Sequence, residues 1–591
     1  MPPILSRLVS GNPFRGLVSE LPLLLALGLV PLVFDMRCAD PTEAPKLALL
    51  LLAAGLSLGP IRTPSLALKA LWGLLLVGFV SALVNGPEQG WTHLLTLAGS
   101  LLLANQPRGR YWVLFLLTGW GCSVAYSWIQ RAGLDWAPWS HPELSRLRTI
   151  AGLGNPNYLA LFLAAGLPLL QLVPQLPKAL AWLAACLGTV TMLATGTRGA
   201  ALALLIVVGL SSLRCGRQHP KFFLAIWLLM ATSWGLAWQV QTQAATSFRG
   251  QWTRLQGGND QSISARLGLF QSALRQGSEH PLTGVGPGNF GDFYLLERPP
   301  ESETLRALPR RPENPHNQTL QILAETGLPG LLCWLTYLFQ VAWHYWRHPS
   351  PKAAAWAILI VAGASNSYPL SIWPMLVALT PTPNESGSAS LGRLWPLGLT
   401  LAVLAGGAGW MTQRAFWWDD ELTILESQKL VAPASRIEHL LRTEKLCPPW
   451  YRDELWRRMS QAYAQQQRLA QAETYARLRT LRRPANAYAW QALAALLESG
   501  SQWAEAAQAW QRCHQLDPKN PGVLYFWARA LVQLGKLDEA AEKIERSLEI
   551  YSKSRQGFQL RAQIRIEQGQ SWEGYWDWVR GFEPTSPAKT T

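Results

Sequence analysis

The sequence predicts an all-α protein in two parts, a polytopic membrane helical bundle of about 12–13 spans followed by a soluble α-solenoid. Three observations predict it. Residues 1–412 hold 27 basic and 16 acidic side chains, whereas residues 413–591 hold 25 and 21. A soluble domain carries about a quarter charged residues, and only the second stretch does. Apolar runs close to the roughly 20 residues that cross a bilayer core recur through the first stretch. The second stretch repeats with a period of 34 residues. These features exclude one large globular enzyme and a disordered chain. The net charge of +15 falls mostly in the first stretch, so it reads as membrane topology rather than nucleic-acid affinity.

Taken in order, apolar spans are expected at 17–34, 46–60, 66–85, 90–105, 110–128, 157–174, 178–196, 199–213, 221–240, 317–346, 353–367, 368–384 and 391–412. The first run continues into others without a small-residue cleavage site, which predicts a retained anchor. Basic residues fall in alternate loops: Arg7 and Arg15, Arg62 and Lys69, Arg108 and Arg110, Lys178, then Arg214, Arg217 and Lys221, then Arg347 and Lys352. The positive-inside rule places the N-terminus in the cytoplasm. Residues 128–156, Arg198 and the loop 241–316 then face outward. Beyond residue 352 the apolar stretch is broken by Pro369 and Pro374, which predicts two short spans turning near Asn366–Pro369. The final span would deliver the C-terminal part to the outer face; a single span there would leave it cytoplasmic. Trp91, Trp112 and Trp410 sit at span ends, where an aromatic belt is expected. The seven Cys show no C-x-x-C or zinc spacing and are assigned no role.

In the soluble part, Trp456, Trp490 and Leu524 are 34 apart, as are Tyr463, Leu497 and Leu531, then Ala472, Ala506 and Ala540, and also Pro484 and Pro518. A large residue early, a small Ala near position 20 and Pro near position 32 make the tetratricopeptide pattern of paired helices. The small Ala lets paired helices approach, and Pro ends the second of them. The expected boundaries are a membrane domain over 1–412, a linker over 413–433, a tetratricopeptide domain over 434–581 and a disordered tail over 582–591. Such an array either binds a protein partner in its groove or packs against its own membrane domain.

Candidate chemistry gathers on the outward side. The loop 241–316 carries 8 basic and 7 acidic residues and is long for a structureless connector. Its Gly284-x-Gly286-x-Gly288 run follows no strand, so it reads as a tight turn rather than a nucleotide loop. His316 stands at the mouth of a span beside Asn317 and opens an amphipathic helix that ends at Gly327. An imidazole of ordinary pKa near 6.5 can take a proton from a hydroxyl. Arg198, in Thr195-Gly196-Thr197-Arg198-Gly199, is basic on the side where the charge rule disfavours it. It either anchors by snorkelling or meets a specific anion. Arg266 precedes an apolar helical run, and a guanidinium fork matches phosphate oxygens. Two Arg and one His on one face can hold a pyrophosphate leaving group and activate an acceptor hydroxyl.

The segment His316-Asn317, nine residues, then Gly327-x-x-Gly330 resembles the signature of the O-antigen ligase and polymerase superfamily. The TGTRGA run at 195–200, Arg266, the HPLTGVGPGNF run at 280–290 and GNPN at 154–157 share that resemblance, which covers roughly 150–385. Many members carry a C-terminal tetratricopeptide domain. The resemblance implies a GT-C-like membrane glycosyltransferase, metal-independent, inverting and without a cofactor. It would take glycan from an undecaprenyl-pyrophosphate carrier on the periplasmic face of the inner membrane, among membrane lipids, and pass it to a lipid or protein acceptor. It implies His316 as the base and Arg198 and Arg266 as pyrophosphate ligands. Asn155, Asn157, Asn289, Asn317 and Glu325 are substrate-binding candidates, with capping or turn roles as the alternative for Asn155, Asn157, Asn289 and Glu325. Two other classes remain open at this point, inorganic-carbon transport and a membrane-anchored scaffold for polysaccharide assembly. No nucleic-acid partner is expected.

Overall fold

The computed structural model describes residues 13–57, 60–62, 64–86, 90–104, 111–137, 148–240, 261–297, 312–381, 388–390, 395–428, 430, 432–552 and 554–580. Arg7, Arg108, Arg110 and the expected tail 582–591 lie outside them, as do 241–260 and 298–311 of the outer loop. The chain divides into two compact units. The first comprises residues 1–288, 314–421 and 446–450, and the second 289–313, 422–445 and 451–591.

The first unit is a helical bundle. Its helices are α1 (Pro13–Gly28), α2 (Glu43–Leu56), α3 (Leu66–Asn85), α4 (Gly90–Ala104), α5 (Trp112–Arg131), α6 (Pro156–Gly166), α7 (Lys178–Ala194), α8 (Arg198–Cys215), α9 (Pro220–Val240) and α10 (Gln261–Glu279). The helix α11 (Phe290–Glu297) falls in the second unit. The bundle then continues with α12 (Gln318–Arg347), α13 (Pro351–Gly363), α14 (Ile372–Leu379) and most of α15 (Trp395–Ser427). Five of these, α3, α5, α8, α9 and α12, are long and apolar enough to cross a membrane, and this is a membrane protein. Polar caps start the helices inside apolar sequence. Ser65 accepts from Leu68 N–H at 3.3 Å, Asn155 from Asn157 N–H at 2.8 Å and Ser350 from Ala353 N–H at 3.3 Å. Two of these caps are followed by Pro at the first helical position, where its missing N–H costs nothing.

Close backbone crossings hold the bundle. A Cβ on Gly119 of α5 would stand 2.5 Å from the Gly28 carbonyl of α1, so even an alanine methyl would force the two backbones apart. Leu50, Leu71, Leu101, Leu116 and Phe162 are fully enclosed in one continuous apolar core. Two three-residue strands, β1 (Pro60–Arg62) and β2 (Ser388–Ser390), pair antiparallel and add a small tie to an otherwise helical unit. The stretch broken by Pro369 and Pro374 forms the two short helices α13 and α14 with a turn between them. Residues 413–427, expected within a linker, continue α15 as helix.

The second unit is a ladder of helix pairs. After α16 (Pro433–Glu444) come α17 (Arg452–Gln465) with α18 (Leu469–Arg482), α19 (Ala487–Ser499) with α20 (Trp503–Leu516), α21 (Pro521–Gln533) with α22 (Leu537–Ile550), and α23 (Arg555–Glu567) with α24 (Ser571–Arg580). The repeat column Ala472, Ala506 and Ala540 is fully buried where paired helices touch. A further column caps the first helix of three pairs: Asn486, Asn520 and Ser554, spaced by 34, each accept from a first-turn backbone N–H.

One element of this unit comes from far away in sequence. The helix α11, in the outer loop, lies against α20, and its Leu295 enters the apolar core of the array. Asp292 of α11 pairs with Arg483, which also reaches Asp453 at 3.5 Å. Asp292 and Arg483 are 3% and 7% exposed. Buried charges are tolerated only when closely paired, and one Arg between two carboxylates meets that condition.

Candidate functional site

His316 occupies an unusual backbone position. Its φ is 53°, in the left-handed region that costs a residue with a side chain about 1–3 kcal/mol. Flanking asparagines hold it there. Asn314 Oδ1 accepts the His316 N–H at 3.1 Å, and Asn317 caps α12 by accepting the Leu320 N–H at 3.0 Å. The imidazole is half-buried. Burial and the nearby Arg266 guanidinium both hold its pKa below the usual histidine value, so the neutral, proton-accepting form is favoured. Arg266 reaches this neighbourhood from α10, which packs along α12.

Arg198 is the first residue of α8, after a tight turn built from threonines. Thr197 Oγ1 lies 3.1 Å from Asn157 Oδ1, and Arg148 Nε donates to the Thr195 carbonyl at 2.8 Å. GNPN and TGTRGA are therefore one hydrogen-bonded structure. The turn between α13 and α14 joins it to the histidine. A Cβ on Gly199 would stand 2.3 Å from Ser365 Oγ. On the other side Asn317 Nδ2 donates to the Ala364 carbonyl at 3.0 Å, and Gln318 Oε1 accepts the Tyr368 N–H at 2.7 Å. The head of α8, which begins at Arg198, and the head of α12, which begins two residues after His316, thus abut the same five-residue turn, 364–368.

Glu325 lies further along α12, 5% exposed. Its carboxyl accepts from Gln321 Nε2 at 3.1 Å and from the Gly288 backbone N–H. The glycine-rich segment docks backbone to backbone on this stretch: Val285 N–H donates to the Ala324 carbonyl at 2.9 Å and Gly286 N–H to the Glu325 carbonyl at 3.1 Å. Ser81 Oγ sits between the carbonyls of Thr283 (2.5 Å) and Glu325 (2.9 Å). Two glycines are obligatory here. Gly284 has φ 64° and a Cβ on it would meet the Glu325 carbonyl carbon at 2.4 Å. Gly327 has φ 68° and ψ −165°, outside the helical region, so the amphipathic first part of α12 ends there, as expected, and a second helical part runs on across the kink to Arg347. At the break Leu328 N–H turns to the Pro281 carbonyl at 2.8 Å.

Of the other candidates, Asn155 caps α6 and Asn157 braces the Thr197 turn, so both support the Arg198 turn. Asn289 is buried at the head of α11 in the second unit, where its carbonyl accepts from Asp292 N–H at 2.9 Å. Sequence reasoning missed Arg148, Ser365 and Gln321. Arg148 and Ser365 act across large sequence separations, as in the 47 residues between Arg148 and Thr195, and Gln321 acts through Glu325 one helical turn away; none stands in a run that spacing would single out.

Residues 182–335 match the family model described as O-antigen ligase. This stretch holds an O-antigen ligase domain. It contains Arg198, Arg266, Asn289, His316, Asn317 and Glu325, and leaves Asn155 and Asn157 outside. Residues 496–564 match a tetratricopeptide repeat model. No curated protein matches the chain. Among solved structures, MamA residues 41 to the end from Desulfovibrio magneticus RS-1 is 14% identical, covering 28% of this chain and 92% of that one at a TM-score of 0.25. Another MamA crystal structure is 15% identical, covering 29% and 89% at a TM-score of 0.26. The O-antigen ligase domain supports a membrane glycan ligase or polymerase function.

Proposed function

We propose that the protein transfers or polymerises glycan from an undecaprenyl-pyrophosphate carrier onto an acceptor hydroxyl at the periplasmic face of the inner membrane. The observation that carries the reading is a half-buried, strained histidine, kept neutral beside Arg266, and the helix it precedes abuts the same turn as the helix that begins at Arg198. In the reaction His316 takes the acceptor O–H proton as the oxygen attacks the anomeric carbon. The bond from that carbon to the diphosphate oxygen breaks, and the diphosphate leaves with the bonding pair. Arg198 and Arg266 meet the negative charge that grows on it. Fixed donors in a site poor in water stabilise such charge without reorganising. A single displacement inverts the anomeric configuration, and no metal is assigned a step.

The charge alternation supports a cytoplasmic N-terminus. The tetratricopeptide array is assigned to the periplasm, because α11 belongs to the outer loop yet folds into the array's core. Loop and array then share one side of the membrane, which agrees with two short helices at 351–379 rather than one span.

The test is glycan transfer in cells producing His316→Ala, Arg266→Ala or Arg198→Ala at membrane levels matched to wild type. Acceptor-linked glycan is expected to disappear in all three. Unchanged glycan with His316→Ala would remove the base and with it the proposal.

A further inference from the structure

The face of α12 below His316 borders a cavity of about 70 Å³. Gln318, Gln321, Ile322, Glu325 and Thr326, which recur at helical spacing, form one wall. His93 of α4 and Pro287 add polar and turn surface, while Leu74, Leu94, Leu97 and Trp373 make the apolar side. Gln321 is 4% exposed and commits its amide N–H to Glu325, while its Oε1 is buried with no hydrogen-bond partner among the described residues. An unmade bond at such a buried acceptor is costly, so the site calls for a donor.

We propose that this cavity is an acceptor subsite that takes the hydroxyl-bearing arm of a sugar. The inference rests on the transfer reading and names its substrate class. Among the described lining residues there is no Lys or Arg, and there is a carboxyl, so the diphosphate is unsuited to it. A neutral O–H donor satisfies Gln321 Oε1, Glu325 and His93 supply further polar contacts, and the C–H face of the same arm lies against Leu97 and Trp373. Each water position needs about 10–15 Å³ of such space, so the cavity has room for several water-sized polar groups and admits a hydroxymethyl arm. Gln321 lies roughly 6 Å along the helix axis from Asn317 at 1.5 Å per residue. One acceptor sugar can therefore present a hydroxyl to His316 and anchor its arm at Gln321.

The full-length protein in lipid nanodiscs should be titrated calorimetrically with octyl glucoside and with its 6-deoxy counterpart, both below micelle concentration. Wild type is expected to bind the hydroxymethyl form at least about fivefold more tightly, as loss of one bond to a buried acceptor implies. Gln321→Met should erase that preference, and Glu325→Gln should weaken it if the first variant does not reach the membrane. In transfer assays Gln321→Met should raise the acceptor KM with the carrier KM unchanged. Equal binding of both glycosides by wild type, or a preference intact in Gln321→Met, overturns the subsite. A preference present in a wild-type protein that transfers no glycan upholds the subsite and strikes the transfer reading alone.

Discussion

At the scale of single residues, His316 has a testable titration. Its pKa is held down by burial and by Arg266. A base must be neutral to work, so the transfer rate should rise with pH through that lowered value and level off above it. Replacing Arg266 with Met removes the electrostatic part, and the acid limb of the normalised pH–rate profile should move to higher pH while the maximal rate falls. A limb that stays in place in Arg266→Met would separate the two groups. The residues involved were legible in the sequence to different degrees. His316, Asn317 and Arg198 stand in short motifs that single them out as candidates without a structure. The left-handed backbone at His316 was not legible, because it follows from asparagine bonds on both sides rather than from residue type. The glycines at 284 and 327 read as a turn and a helix end. Their shared purpose, two backbones meeting at Glu325, needs the tertiary contact.

At the scale of elements, the informative one is α11. As a sequence it is eight residues in a long loop, and nothing in its spacing ties it to a repeat array that begins some 150 residues later. The 34-residue period announced the paired helices of the array plainly. It was silent on this added helix, because periodicity reports what repeats and α11 does not. The buried pair at Asp292 and Arg483 predicts an unequal pair of variants. Arg483→Met removes the cation shared by Asp292 and Asp453 and should cost about 3–5 kcal/mol, the usual result of breaking a buried pair. Asp292→Asn leaves Arg483 with Asp453 and should cost about 1–3 kcal/mol. Thermal unfolding of the two proteins, with limited proteolysis of 289–313 as a local readout, checks the order. Equal midpoints and equal protection would mean that α11 is not fastened by these charges. The turn 364–368 makes the same point within the bundle. Its prolines foretold a break between two short helices, but its contacts with the heads of α8 and α12 are visible only in three dimensions.

At the scale of the whole molecule, composition separated an apolar bundle from a charged array, and the hydropathy pattern placed its helices closely. The chain crosses that division more often than composition suggests, since α11 belongs with the array while 446–450 group with the bundle. Charged loops look alike whether they are solvated or folded into another domain, so such crossings leave no compositional trace. In the proposed reaction two guanidinium groups hold the carrier diphosphate and one imidazole takes the proton. The direct measurement is single-turnover transfer by the purified full-length protein in nanodiscs, alongside binding of the undecaprenyl-pyrophosphate glycan. His316→Ala should bind the carrier as wild type does and transfer at least about 100-fold more slowly, as loss of a general base implies, whereas Arg198→Ala and Arg266→Ala should lose binding as well. Wild-type transfer by His316→Ala, or undiminished carrier binding in both arginine variants, would contradict it.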